Sequence, residues 1–145
     1  MKVSECMTRD VRIVDPDETL QDAARAMADI DAGILPVGER DRLVGMITDR
    51  DIAIRGMGTG REPSARVREV MSDEVLYCFD DDDADDVLDN MGDNQVRRLP
   101  VLNHDKRLVG IVSITDLANG DGEAEHAGEA LTLIASPSPR HSQSL

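Results

Sequence analysis

The chain repeats itself, and the repeat limits the fold more than any other feature. Leu43-Val44-Gly45-Met46-Ile47-Thr48-Asp49-Arg50-Asp51 returns as Leu108-Val109-Gly110-Ile111-Val112-Ser113-Ile114-Thr115-Asp116. Upstream, a shift of 64 positions aligns Met7 with Met71, Val11 with Val75, Met27 with Met91, and Leu35-Pro36-Val37 with Leu99-Pro100-Val101. A one-residue insertion makes the shift 65 and brings Asp51 onto Asp116 and Ala53 onto Ala118. Solenoids use shorter and more numerous units. Two long copies predict a pseudo-symmetric pair, each half completing the other's core.

Periodicity orders the elements within a copy. Val11-Arg12-Ile13-Val14 alternates as a short strand and ends at Asp15-Pro16. Thr19 followed by Asp22 resembles a capping box, and Leu20, Ala23, Ala24, Met27 and Ile30 then form one apolar helix face. Ile34 to Val37 and Leu43 to Thr48 read as strands around the turn Glu39-Arg40-Asp41. Asp49 to Arg55 reads as a closing helix stopped by Gly56. The second copy predicts strand Leu76 to Phe79, a helix facing inward through Ala84, Val87, Leu88 and Met91, strands Arg98 to Leu102 and Arg107 to Ser113, and a short helix to Asn119. The fold class is α/β (α+β), with the order β-α-β-β-α occurring twice. Residues 1–60 form the first repeat, 61–66 a linker in a Gly-rich neighbourhood, 67–120 the second repeat and 121–145 a tail. In the tail, 127–135 has a weak helical pattern before a Ser/Pro-rich, disorder-prone end.

Each repeated phrase reads as a strand that stops at a hydroxyl and turns into a helix, with a carboxylate three positions on: Thr48 with Asp51, Ser113 with Asp116. A hydroxyl, unpaired helix N–H groups and a carboxylate around one point can hold a phosphate and a ribose diol. The same residues can also simply cap their helices. Both readings are open from the residues alone. From charge alone, Arg97-Arg98 reads as surface charge answering the acidic excess.

Composition removes several alternatives. Among 145 residues only Tyr77 and Phe79 are aromatic, so the core must be aliphatic, and 40% apolar residues can build it. A net charge of −14 gives the long-range field the wrong sign for nucleic acid or an anionic membrane. No apolar run is long enough to span a bilayer, and the start lacks a signal peptide's apolar core. Cys6 and Cys78 occupy non-equivalent places, which suggests reduced thiols and a cytoplasmic location. The run Asp80-Asp81-Asp82-Asp83 with Asp85 and Asp86 reads as a solvated helix entry without a calcium loop's spacing. His104, His126 and His141 show no ligand spacing, so no metal site is expected. No nucleophile order stands out, and no catalytic residue is expected.

In motif order, length and spacing, residues 3 to 120 resemble a tandem pair of cystathionine β-synthase (CBS) domains, a Bateman module. Ile47-Thr48-Asp49-Arg50-Asp51-Ile52 and Val96-Arg97-Arg98-Leu99-Pro100-Val101 are particularly similar to small stand-alone bacterial members, including mycobacterial hypoxic-response proteins. The resemblance implies two β-α-β-β-α units packed through their sheets, with two clefts that bind AMP, ADP, ATP, NAD or S-adenosylmethionine in many members. It implies a non-catalytic sensor with no obligatory cofactor, a homodimer built through helices, and a separate regulated protein. A ligand-free structural or stress-response dimer is the alternative. One cleft would combine Met46, Thr48, Arg50 and Asp51 with Val75, Leu76, Arg97 and Arg98. Asp51 would accept from ribose, Thr48 would donate to phosphate, main chain near Val75 would read adenine, and the arginines would neutralise phosphate. The other cleft would combine Ile111, Ser113 and Asp116 with Val11, Arg12, Gly33 and Ile34, which lack the arginines. The first is therefore expected to bind phosphorylated ligands better.

Overall fold

The computed structural model describes residues 1–118; the end of the short helix at Asn119, the 127–135 pattern, His126, His141 and the Ser/Pro-rich end lie outside them. The chain divides into two compact units, Arg12–Val75 and Met1–Val11 together with the chain from Leu76 onward.

In the Arg12–Val75 unit, helix α1 (Leu20–Ile30) starts where the capping box was expected. Thr19 Oγ1 accepts from the Asp22 N–H at 3.1 Å, and Asp22 Oδ2 accepts from the Thr19 N–H at 3.2 Å. The buried stripe is Leu20, Ala23, Ala26 and Met27. Ala24 is exposed and Ile30 is 43% exposed, so the inward face is rotated from the expected one: positions 20, 23, 26 and 27 turn toward the core. The helix ends at Asp31, in the left-handed region at φ 53°, and the Ala32 N–H returns to Met27 O at 3.0 Å. Strands β1 (Ile34–Glu39) and β2 (Arg42–Thr48) then pair antiparallel. Arg40 and Asp41 both have positive φ, the two-residue turn whose twist suits a hairpin.

The expected strand Val11–Val14 contributes one bridge, Val14 beside Val37. Of its four residues only Val14 is buried, Arg12 is exposed, and the Val11 N–H is bonded locally to Arg9 O at 3.1 Å. Gly56 does not stop the closing helix. The turns continue as a π-helix over Asp51–Gly56 and a 3-10 turn over Met57–Thr59, ending at Gly60 with φ 82°. Gly56 is instead a packing position, where an added Cβ would lie 3.0 Å from Leu20 Cδ1.

The other unit follows the same plan. Helix α2 (Ala84–Asn94) buries Ala84, Val87, Leu88 and Met91, as its spacing predicts, together with Gly92. Strand β3 (Cys78–Phe79) runs parallel to β4 (Arg98–Leu102), which pairs antiparallel with β5 (Leu108–Ser113). A short helix α3 (Ile114–Ala118) follows directly. Neither Cys6 nor Cys78 forms a disulfide. Cys78, in β3, is buried, and desolvation pushes its thiol up to about 12.

The units do not coincide with the sequence repeats, because the leading segments are exchanged. Thr8, near the start of the first repeat, bridges Ile111, whereas Ser72, near the start of the second repeat, bridges Met46. Val3 is fully buried with Leu88 and Val112, and Val67 is fully buried with Leu20 and Ile47. The repeated glycines admit these segments. A Cβ on Gly45 would lie 2.8 Å from Ser72 O, and one on Gly110 would lie 2.8 Å from Thr8 O.

Candidate functional site

The two strand-to-helix turns form the same local construction. Thr48 Oγ1 accepts from the Asp51 N–H at 3.0 Å, and Asp51 Oδ2 accepts from the Thr48 N–H at 3.0 Å. Ser113 and Asp116 reproduce both bonds at 3.1 and 3.0 Å. Each pair is therefore a reciprocal cap, as one of the two sequence readings requires. A carboxylate keeps acceptor capacity beyond the one oxygen so used.

Their surroundings differ. Antiparallel register places Ile34 opposite Thr48 and Arg98 opposite Ser113, on one face of each hairpin. Ile34 is buried, Thr48 is 1% exposed and Asp51 is 7% exposed. Ser113 and Asp116 are half-buried beside an exposed Arg98. Desolvation pushes the Asp51 carboxyl above its ordinary value, against the Thr48 hydrogen bonds and the charges of Arg55 and Arg50. Arg55, one turn on from Asp51, brings Nη1 to 3.8 Å from Asp51 Oδ1. Sequence reasoning missed it, although its four-residue spacing was a readable signal.

The other expected residues fall as follows. Met46 is buried and bridged to Ser72, while Arg50 is exposed. Gly33 accepts the Asp49 N–H at 2.9 Å, and a Cβ there would lie 2.9 Å from Asp49 Oδ2. Its counterpart Arg97 is exposed and accepts the Ile114 N–H at 3.0 Å. Ile111 is half-buried and bridged to Thr8. Val11 and Leu76 belong to the unit of the second hairpin, Arg12 and Val75 to that of the first. Arg97 and Arg98 share a unit with Ser113 and Asp116, whereas Thr48 and Asp51 belong to the other.

A cavity of about 260 Å³ in the Arg12–Val75 unit is lined by Leu20, Gln21, Ala24, Ile52, Met57, Arg61, Glu62 and Pro63, none of them an expected ligand residue. Among the described residues no helix is long and apolar enough to cross a membrane.

Known proteins match this construction. Two copies of the family described as "CBS domain" match residues 3–57 and 67–121. The CBS domain-containing protein YhcV of Bacillus subtilis is 41% identical over 133 residues, covering 92% of this chain and 94% of that protein. Hypoxic response protein 1 of Mycobacterium tuberculosis is 41% identical over 116 residues, 79% of this chain and 80% of that one. A crystal structure of Hypoxic Response Protein I with two coordinated zinc ions shares the fold at TM-score 0.74 and 39% identity, covering 81% of this chain and 97% of that one. CBSX2 in complex with AMP shares it at TM-score 0.72 and 22% identity, covering 86% of this chain and 98% of that one. The chain belongs to the CBS-domain family and carries two CBS domains in tandem.

Proposed function

We propose that this CBS pair is a non-catalytic regulatory module. It takes an adenosine-containing ligand at its hydroxyl–carboxylate turns and passes the occupied state to a separate protein. The doubled Thr48–Asp51 and Ser113–Asp116 construction supports this: each carboxylate has one oxygen committed to the cap and further lone pairs free to accept ribose hydroxyls. The fold is compatible with such a ligand, since CBSX2 holds AMP, but at 22% identity the ligand class rests on this chain's own residues. Occupancy becomes a signal only if the ligand binds one conformation better than another.

Arg97 and Arg98 supply the phosphate-neutralising charge. In one reading they serve Thr48 and Asp51, with Val75 and Leu76 beside the base. The register of Arg98 with Ser113 favours a second reading, in which Ser113–Asp116 is the turn that takes phosphate. Exposed Met57, Ile54 and Ile30, at 76%, 49% and 43%, support a homodimer contact on the first repeat. The net charge and cysteine usage support a cytoplasmic module without nucleic-acid or membrane partners.

Thermal shift with AMP, ADP, ATP, NAD and S-adenosylmethionine, followed by calorimetry, tests the proposal. A bound ligand raises the melting temperature through linkage. A flat response across the series rejects ligand sensing and leaves the structural dimer. A larger affinity loss in Asp51→Asn than in Asp116→Asn supports the first assignment of the arginines, and the reverse supports the second.

A further inference from the structure

Two turns of the unit that begins Met1–Val11 bring three metal-ligating side chains to one point. Asp80 and Asp81 follow β3, His104 sits in the turn between β4 and β5, and one donor atom from each lies within 4.8 Å of the other two. The acidic run thus divides its labour. Asp83 Oδ1 caps α2 through the Asp85 N–H at 2.9 Å, and Asp82 Oδ2 accepts the Phe79 N–H at 2.9 Å. Helix entry therefore explains Asp82 and Asp83. It does not explain Asp80 and Asp81: the Asp81 carboxylate is hydrogen-bonded to the His104 imidazole, and an Asp80 carboxylate oxygen lies within 4.8 Å of both.

Both turns hold their ligands in place. The Asp80 N–H donates to Leu102 O and its carbonyl accepts from the Ser4 N–H, both at 2.9 Å. Asn103 Oδ1 accepts the N–H groups of Asp105 and Arg107 at 3.0 Å, which fixes the turn carrying His104. The His104 ring stacks on Phe79 with centroids 4.9 Å apart and planes 8° from parallel. That contact orients Nε2 toward Asp81 Oδ2 at 2.7 Å. Lys106, the cation of the same turn, is drawn to Tyr77, where Nζ donates to the hydroxyl at 2.9 Å.

We propose that Asp80, Asp81 and His104 form a site for a divalent transition-metal ion of the zinc or nickel kind. One imidazole and two carboxylates make a donor set for such ions, whereas calcium and magnesium take oxygen ligands. Two carboxylates balance the ion's charge, and three protein ligands on an open surface leave a position for water. The ion would take the place of the hydrogen bond between His104 Nε2 and Asp81 Oδ2.

The test is calorimetric titration of Zn²⁺ into the untagged, chelator-treated full chain near neutral pH, beside Mg²⁺ and Ca²⁺. Saturable binding of one Zn²⁺ per chain is expected, weakened at least about tenfold in His104→Ala and in Asp81→Asn and unchanged in Cys6→Ser. No saturable heat at submillimolar Zn²⁺ or Ni²⁺ overturns the proposal. So does an affinity that both variants leave intact, because the ion is then held elsewhere. Magnesium or calcium binding as tight as zinc overturns the choice of metal. Should a variant fail to fold, Co²⁺ broadening in the amide spectrum of the unmodified chain decides. Broadening centred on Asp80, Asp81 and His104 supports the site, and any other centre rejects it.

Discussion

At Asp51 burial and hydrogen bonding act in opposite directions. Desolvation raises its pKa, while Thr48, Arg55 and Arg50 favour the charged form less strongly. The folded chain therefore holds the Asp51 proton more tightly than the unfolded chain. The stability tied to this group is fully present below the ordinary carboxylate pKa and is lost as pH rises through the raised folded value. An asparagine cannot ionise but still offers one oxygen to the Thr48 N–H. Asp51→Asn should thus gain stability relative to the unmodified protein as pH rises from about 4 and keep the gain at neutrality, read from denaturant midpoints at a series of pH values. Asp51→Ala removes the acceptor altogether and strands a buried N–H, at a cost of about 1–2 kcal/mol. Asp116→Ala, at a half-exposed turn that water can reach, should cost about 0.5–1 kcal/mol. Equal costs, or an asparagine variant with no pH-dependent gap, would contradict this reading of the two turns.

At the scale of elements, α1 shows what local chemistry settles and what it leaves open. Its entry is governed by the Thr19–Asp22 box, but its exit forces Asp31 into the left-handed region with a negative charge at the negative end of the helix dipole. Asp31→Gly relieves both and should raise stability by about 0.5–1 kcal/mol, net of the glycine's unfolded-state entropy, measured as a higher melting temperature. The helices and hairpins were readable in the sequence because Leu20, Ala23 and Met27, and then Ile34 to Val37, repeat at the right periods. Two of the five expected face positions, Ala24 and Ile30, are exposed and Ala26 is buried instead, because alanines crowd positions 23 to 26 and composition does not rank them. The strand at Val11–Val14 alternates correctly, yet only Val14 finds a partner. The turns were legible as motifs at Thr48 and Ser113, but the inequality of their neighbours, Ile34 and Arg98, follows from hairpin register. His104 and Asp81 lie 23 residues apart and meet through two turns, so no local spacing announces them.

For the whole molecule, the exchange makes each repeat's core depend on the leading segment of the other repeat. Val3 and Met7 belong to the core built by α2, β4 and β5, and Val67, Val70 and Met71 to the core built by α1, β1 and β2. Burying one valine contributes about 1.5–3 kcal/mol, so neither core is complete without its borrowed segment. The glycines of the repeated phrase are the points of entry, and they allow the dependence to be tested one unit at a time. An added methyl on Gly110 would lie 2.7 Å from Met7 Sδ and 2.8 Å from Thr8 O. Met7 can bend away; a backbone oxygen cannot, so the segment must lift or the strand must shift. Gly110→Ala should cost about 1–3 kcal/mol and lower hydrogen-exchange protection in α2, β4 and β5 first. Gly45→Ala, which meets Met71 Sδ and Ser72 O at 2.8 Å, should lower it in α1, β1 and β2 first. A loss spread evenly over both units in either variant would mean that the two cores open as one, and that the exchange sets topology without setting where the protein first comes apart.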